Sequence, residues 1–177
     1  MGIYLNPGNA GFERILRSEY IDKTGLLSII NEQIDTVRGL ICVSCPRRFG
    51  KSYAANMLCA YYDRTCDSHA LFDNLKISNA STYEDYINKY NVIYIDVASF
   101  LSELKHQNHS IKDVANDIAQ TIRLELIEDK PELSQVTKVS ECLKKYVRIT
   151  GQKFIFIIDE WDVVIREAQN DSATQTA

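Results

Sequence analysis

The chain has 177 residues, with 20 basic and 24 acidic side chains and a formal net charge of −4. An apolar fraction of 45% beside 25% charged residues excludes disordered, collagenous and low-complexity classes and predicts one globular domain with a real core. Mild acidity excludes a general basic footprint for nucleic acid, and no apolar run approaches the roughly 18 residues of a membrane span. The start MGIYLNPGNAG lacks the basic and apolar stretches of a secretory signal, and Asn6 stands where a myristoylation signal needs Ser or Thr. The expectation is a soluble cytoplasmic protein.

Taken in chain order, Thr24 to Ile34 reads as a short helix, followed by the apolar run GLICVSC over Gly39 to Cys45. A second helix runs from Lys51 to about Tyr62. VIYIDVA (Val92 to Ala98) and KFIFIID (Lys153 to Asp159) are two further apolar runs. All three runs are near-continuously apolar and β-rich rather than alternating, which predicts strands buried on both faces of a parallel sheet. Between the last two, Ile111, Val114, Ala115, Ile118, Ala119, Ile122 and Leu126 form one helical stripe. Ser110 would cap it, helped by Asp113. Pro131 marks a turn. The next helix carries Val136, Val139, Leu143, Tyr146 and Val147, with Lys144, Lys145, Arg148 and Gly151 as its stop signal. Strands separated by helices predict an α/β sheet with right-handed crossovers. The domain reads as residues 1–167, with 168–177 (AQNDSATQTA) an exposed loop or frayed end.

The five cysteines read as reduced thiols in core elements. Cys42 and Cys45 form a CxxC, but no second pair follows at zinc spacing. His69, His106 and His109 lie in polar stretches and read as solvated loop residues.

Chemistry concentrates where the first apolar run enters PRRFGKS (Pro46 to Ser52) and then a helix. Backbone N–H groups of such a loop and of the helix start form a concave site for anionic oxygens. Gly50 would let the backbone approach phosphate without a Cβ, Lys51 would reach the β- and γ-phosphates, and the Ser52 hydroxyl would ligate Mg²⁺. The first Gly of GxxxxGK[ST] is missing, because Cys45 occupies its place. The last apolar run supplies a second element: Phe154 to Ile158 is followed by Asp159 and Glu160. At a strand's carboxyl end Asp159 can hold the magnesium shell while Glu160 polarises the attacking water. An Asp-Glu pair resembles the additional-strand P-loop ATPases. Asn88-Lys-Tyr-Asn91 ends in Asn where a guanine-reading motif needs Asp, so ATP is the expected nucleotide.

Longer strings narrow the reading. GIYLNPGNAGFERIL, YIDKTGL, CVSCPRRFGKS, NVIYID and FIIDEWD resemble the predicted AAA-ATPase-like family, over essentially the whole chain from Gly2 to Glu167. The resemblance implies a three-layer, parallel-sheet P-loop NTPase of the additional-strand, AAA-like type, with ATP and Mg²⁺ as ligands. Family members commonly carry a C-terminal region similar to PD-(D/E)XK nucleases. On this resemblance Arg47, Arg48, Phe49, Gly50, Lys51, Ser52 and Tyr53 form the nucleotide-binding segment. Asp159 and Ser52 hold the metal, and Glu160 with Lys51 is catalytic. Cys45 departs from the Arg expected there. The sensor strand, helical lid and arginine finger of that class have no counterpart after Asp159, so the resemblance implies a C-terminally incomplete domain with little turnover of its own.

Arg47 and Arg48 would supply charge near phosphate, cover the loop's outer face towards a neighbouring subunit, or simply be solvated. Tyr20-Ile-Asp-Lys-Thr24 would lie near base and ribose or merely cap the following helix. Asp96 would join the metal shell through water or cap a turn. Trp161 reads as a packing residue and Arg166 as a surface helix residue. The leading expectation is Mg²⁺-dependent ATP hydrolysis coupled to a protein partner, to self-association or to the nuclease-like region. A non-hydrolysing nucleotide-gated module, a phosphotransferase and an inactive fragment are the alternatives. Nucleic acid and membrane are not expected as partners.

Overall fold

Helix α3 (Lys51–Tyr62) has the bounds that the sequence predicts, and its buried face explains why. Ala55, Met57, Cys59, Ala60, Tyr61 and Tyr62 are all buried on it. A computed structural model of the chain describes residues 4–44, 49–106 and 113–170. These divide into two compact units, residues 6–92 and residues 4–5 with 93–170. The architecture is mixed α/β.

Around α3 the first unit packs α1 (Ala10–Leu16), α2 (Gly25–Asn31), two one-turn helices, α4 (His69–Phe72) and α5 (Tyr83–Tyr86), and a 3₁₀ turn at Lys76–Asn79. Aromatic rings build its core. Phe12 stacks on Phe72 with centroids 4.9 Å apart, and Tyr61 meets Phe72 edge-on at 5.3 Å. The Tyr61 and Tyr62 hydroxyls are satisfied by Asn31, itself buried, through bonds of 3.2 and 2.7 Å. Close approach of α1 to α3 requires Gly11, since a Cβ there would lie 2.0 Å from Asn56 Oδ1.

Asp63, fully buried after α3, ties the chain's start to this core. Its carboxylate accepts the Gly8 N–H at 2.6 Å and the Thr65 N–H and hydroxyl at 2.8 and 2.7 Å. Asp63→Ala would strand these donors, each unmet group costing about 1–3 kcal/mol. We expect urea unfolding to report a loss of about 3 kcal/mol; a loss below about 0.5 kcal/mol, the usual surface value, would refute this anchoring role.

Strands β1 (Asn91–Asp96), which enters the second unit at Ile93, and β2 (Phe154–Asp159) form a two-stranded parallel sheet. Leu5 bridges to Ile93 antiparallel. Helices α6 (Val97–His106), α7 (Val114–Asp129), α8 (Val139–Thr150) and α9 (Val163–Asn170) accompany the sheet. Ile93, Ile95, Ile122, Leu126, Leu133, Cys142 and Tyr146 make one buried cluster. Helix α8 stops at Gly151, whose φ is +70° and whose N–H donates to the Val147 carbonyl. The Pro131 turn is a short 3₁₀ segment, Pro131–Leu133.

Several expectations are corrected. Residues 39–44 of the first apolar run form no strand and are exposed, with Leu40 100% accessible. Apolar sequence creates a strand only where a partner offers a ladder and a face to bury, and the described residues offer neither. The expected three-stranded parallel sheet is therefore two-stranded among the described residues. Cys42 is accordingly exposed, not a core thiol, while Cys59 and Cys142 are buried. Strand β2 also departs from two-sided burial. Ile157 and Asp159 are buried but Phe156 and Ile158 are about half exposed, so one face is bare among the described residues. Helix α2 ends at Asn31, three residues short of Ile34, and Val97 opens α6 where a strand was expected to continue. Helix α9 reaches Asn170, three residues into the expected terminal loop. Ser110 and Ile111 lie outside the described residues, and Asp113 makes no side-chain cap bond to α7.

Candidate functional site

The first part of the site is the start of α3. Gly50 occupies its N-cap position at φ +83°, ψ +34°, a left-handed geometry that side chains disfavour. Its carbonyl accepts the Ala54 N–H at 3.0 Å, closing the first helical turn. No side-chain cap bonds this terminus and no acidic residue lies in its first turn. The leading N–H groups of α3 thus stay without intrahelical partners, at the positive end of a helix 12 residues long. Lys51 is the first helical residue and half-buried; Ser52 is exposed. Asn56 Nδ2 donates to the Ser52 carbonyl at 2.8 Å, bracing the turn.

From the preceding strings comes Lys23, whose Nζ donates to the Phe49 carbonyl at 2.6 Å. A Cβ at residue 50 would lie 3.1 Å from that Nζ, a tight approach that the flexible lysine tip can relieve, so it is the positive φ that favours Gly50. Neighbouring Asp22 and Thr24 serve the fold. Asp22 accepts the Thr24 N–H and hydroxyl at 2.8 and 2.7 Å and the Lys76 N–H at 2.8 Å. Partial burial would raise its pKa, but these hydrogen bonds outweigh it and hold the carboxyl below its ordinary range. Tyr20, beside them, is raised above the ordinary phenol value, chiefly by burial.

The second part closes β2. Asp159 is 8% exposed and accepts the Glu160 N–H on Oδ1 at 2.9 Å. Glu160 sits at φ +52°, a strained conformation for a side-chain-bearing residue. Arg166, one turn into α9, donates to Glu160 Oε2 at 3.3 Å. Its Nε lies 3.2 Å from Asp162 Oδ2, near enough for an ion pair but not aligned as a hydrogen bond.

The structure therefore gathers Phe49, Gly50, Lys51, Ser52 and Tyr53 at one helix start, and Asp159 with Glu160 at one strand end. The first group belongs to the first unit and the second group to the second. Arg47, Arg48 and Cys45 lie outside the described residues. Asp96 is a cap: its carboxylate accepts the Ser99 N–H at 3.0 Å and the Ser99 hydroxyl at 2.9 Å, opening α6. Trp161 is 57% exposed, a correction of its expected packing role. Arg166 is more than a surface helix residue, since it pairs with both Glu160 and Asp162. Its four-residue spacing from Asp162 was a usable signal; the Lys23 contact left none in the sequence.

Among the described residues no group of three or more His, Cys, Asp or Glu side chains is placed to hold a metal by itself. The donors at hand, the Ser52 hydroxyl and the Asp159 carboxylate, are hard oxygens. They lie in different units, and each by itself is the kind of donor that suits Mg²⁺, which keeps several waters and takes one or two carboxylates plus substrate phosphates. No helix of the described residues is long and apolar enough to cross a membrane.

A family model described as "Predicted AAA-ATPase" matches residues 8–177. No curated protein and no solved structure matches the chain.

Proposed function

Because the chain belongs to the predicted AAA-ATPase family, we propose that it binds ATP with Mg²⁺ and hydrolyses it on a P-loop NTPase framework of the additional-strand type. The observation that carries this reading is the uncapped start of α3, where Gly50, Lys51 and Ser52 follow one another at a left-handed turn. Its N–H groups, which lack intrahelical partners, and its positive dipole end favour phosphate oxygens, and the Lys51 ammonium adds the compact cation that phosphates need. Ser52 and Asp159 would hold the metal ion, which when bound neutralises phosphate charge. Glu160 is the candidate general base, because its carboxylate follows Asp159 directly.

Titration calorimetry with ATP in millimolar Mg²⁺, then in excess chelator, tests the reading. We expect saturable binding that weakens by about tenfold or more without the metal, as losing a charge-assisted contact of about 1.5–3 kcal/mol requires. A folded sample that takes up no Mg-ATP would overturn the proposal.

A second reading, a nucleotide-gated binding module without turnover, is favoured by one contact. Arg166 engages the Glu160 carboxylate and so occupies an oxygen that an attacking water would need. Phosphate release by the wild-type chain separates the two readings.

A further inference from the structure

We propose that Lys23 is a positioning residue for the start of α3: it sets the direction of the peptide entering Gly50 and so aims the Gly50 N–H. This rests on the phosphate-binding reading above and adds to it a residue from outside the Gly-Lys-Ser turn. Lys23 Nζ donates to the Phe49 carbonyl at 2.6 Å, across 26 positions of sequence. The Phe49–Gly50 peptide is trans, and in a trans peptide the N–H runs antiparallel to the carbonyl. A carbonyl held towards Lys23 therefore turns the Gly50 N–H the opposite way. Glycine itself would not choose, since it takes positive and negative φ about equally readily. On its other side Gly50 is already fixed, because its carbonyl accepts the Ala54 N–H at 3.0 Å as the first rung of the helical ladder. The lysine bond thus holds a peptide that this ladder does not reach.

A long lysine side chain gives up rotamer freedom to make such a bond, and the segment behind it is braced on both sides. The Tyr20 hydroxyl accepts the Lys23 N–H at 3.3 Å and donates to Met57 Sδ on α3 at 3.5 Å. Its ring packs edge-on against Phe12 at 5.4 Å. Asp22 and Thr24, the two neighbours of Lys23, accept the Lys76 and Ile77 N–H groups at 2.8 and 3.1 Å. Thr24 is fully buried. Both ends of the tether belong to the first unit. A donor aimed in advance costs no reorganisation when an anion arrives, so the tether should appear as affinity.

Calorimetry with Mg-tripolyphosphate, a probe without base or ribose, on wild type, Lys23→Met and Lys23→Arg tests the assignment. Met keeps the aliphatic stem and removes the donor, whereas Arg keeps both donor and charge. Lys23→Met should bind about tenfold more weakly than wild type, the low end for a hydrogen bond from a charged group. Lys23→Arg should stay within about threefold. The Lys23→Met loss should persist at about 0.5 M salt, where a merely neighbouring charge is screened. Lys23 is exposed, so the urea midpoint should not move. A further readout needs no ligand: the Gly50 amide resonance of the free chain should shift in Lys23→Met. A loss under about twofold, a loss that vanishes in salt, an unmoved Gly50 resonance, or a loss that tracks a lowered urea midpoint would each overturn the positioning role. All four leave the phosphate site standing. A folded wild type that takes up no tripolyphosphate would overturn the phosphate reading and the positioning role together.

Discussion

Lys51→Ala should abolish measurable Mg-ATP binding while leaving the fold intact. Lys51 opens α3 and is only half-buried, and Ala is the best helix former, so the helix itself should not suffer. What disappears is the ammonium beside a terminus whose own contribution is partial charge alone. One lost hydrogen bond between charged groups is worth about 1.5–3 kcal/mol, or roughly 10- to 150-fold in affinity. A lysine that bridges two phosphates should exceed the upper figure. Calorimetry with an unfolding curve as control reads both halves of the prediction. Retained binding would mean that the nucleotide, if any, is held elsewhere, and the uncapped helix start would lose its assigned role.

That helix was legible from sequence because its punctuation is local. Gly-Lys-Ser at the opening of a helix needs no knowledge of the rest of the chain. The stop of α8 at Gly151 was readable for the same reason, as were β1 and β2, whose β-branched runs end at Asp96 and Asp159. Residues 39–44 show the opposite case. An apolar run records that burial would be favourable, not that a partner is there, and Leu40 and Val43 stand in solvent. The bare side of β2 at Phe156 and Ile158 has the same origin.

Within the candidate site, residue types were readable and contacts were not. Gly50, Lys51, Ser52, Asp159 and Glu160 announce their chemistry by identity and order. Lys23 reaches Phe49 across 26 positions, and no periodicity encodes such a contact. The wall of the cavity beside the start of α3 mixes Tyr20 and Ile21 with Tyr53 and Met57, residues that sequence alone reads as separate elements. The Glu160–Arg166 pair lies between these cases: both side chains sit within one turn-and-helix segment, yet the positive φ of Glu160 that aims it is a property of the backbone, invisible in residue order.

Glu160→Gln should retain Mg-ATP and lower phosphate release by at least about a hundredfold. A positioned general base contributes about 10²- to 10⁴-fold, and the amide keeps the size of the carboxylate while losing its proton affinity. The introduced amide would still accept from Arg166 through its side-chain oxygen, so the strained turn at φ +52° and the contact at 3.3 Å have no steric reason to change. Affinity for ATP should stay within about threefold of wild type, or rise, since a negative charge is removed. Single-turnover phosphate release at saturating Mg-ATP measures the chemical step apart from binding. A variant that hydrolyses as fast as wild type would remove Glu160 from the chemistry. A wild type that binds but releases no phosphate would instead favour the nucleotide-gated module, with Arg166 holding the carboxylate away from its water. The paired variant Arg166→Ala then decides between them, because freeing Glu160 should raise release from a restrained catalyst and leave a pure binding module silent.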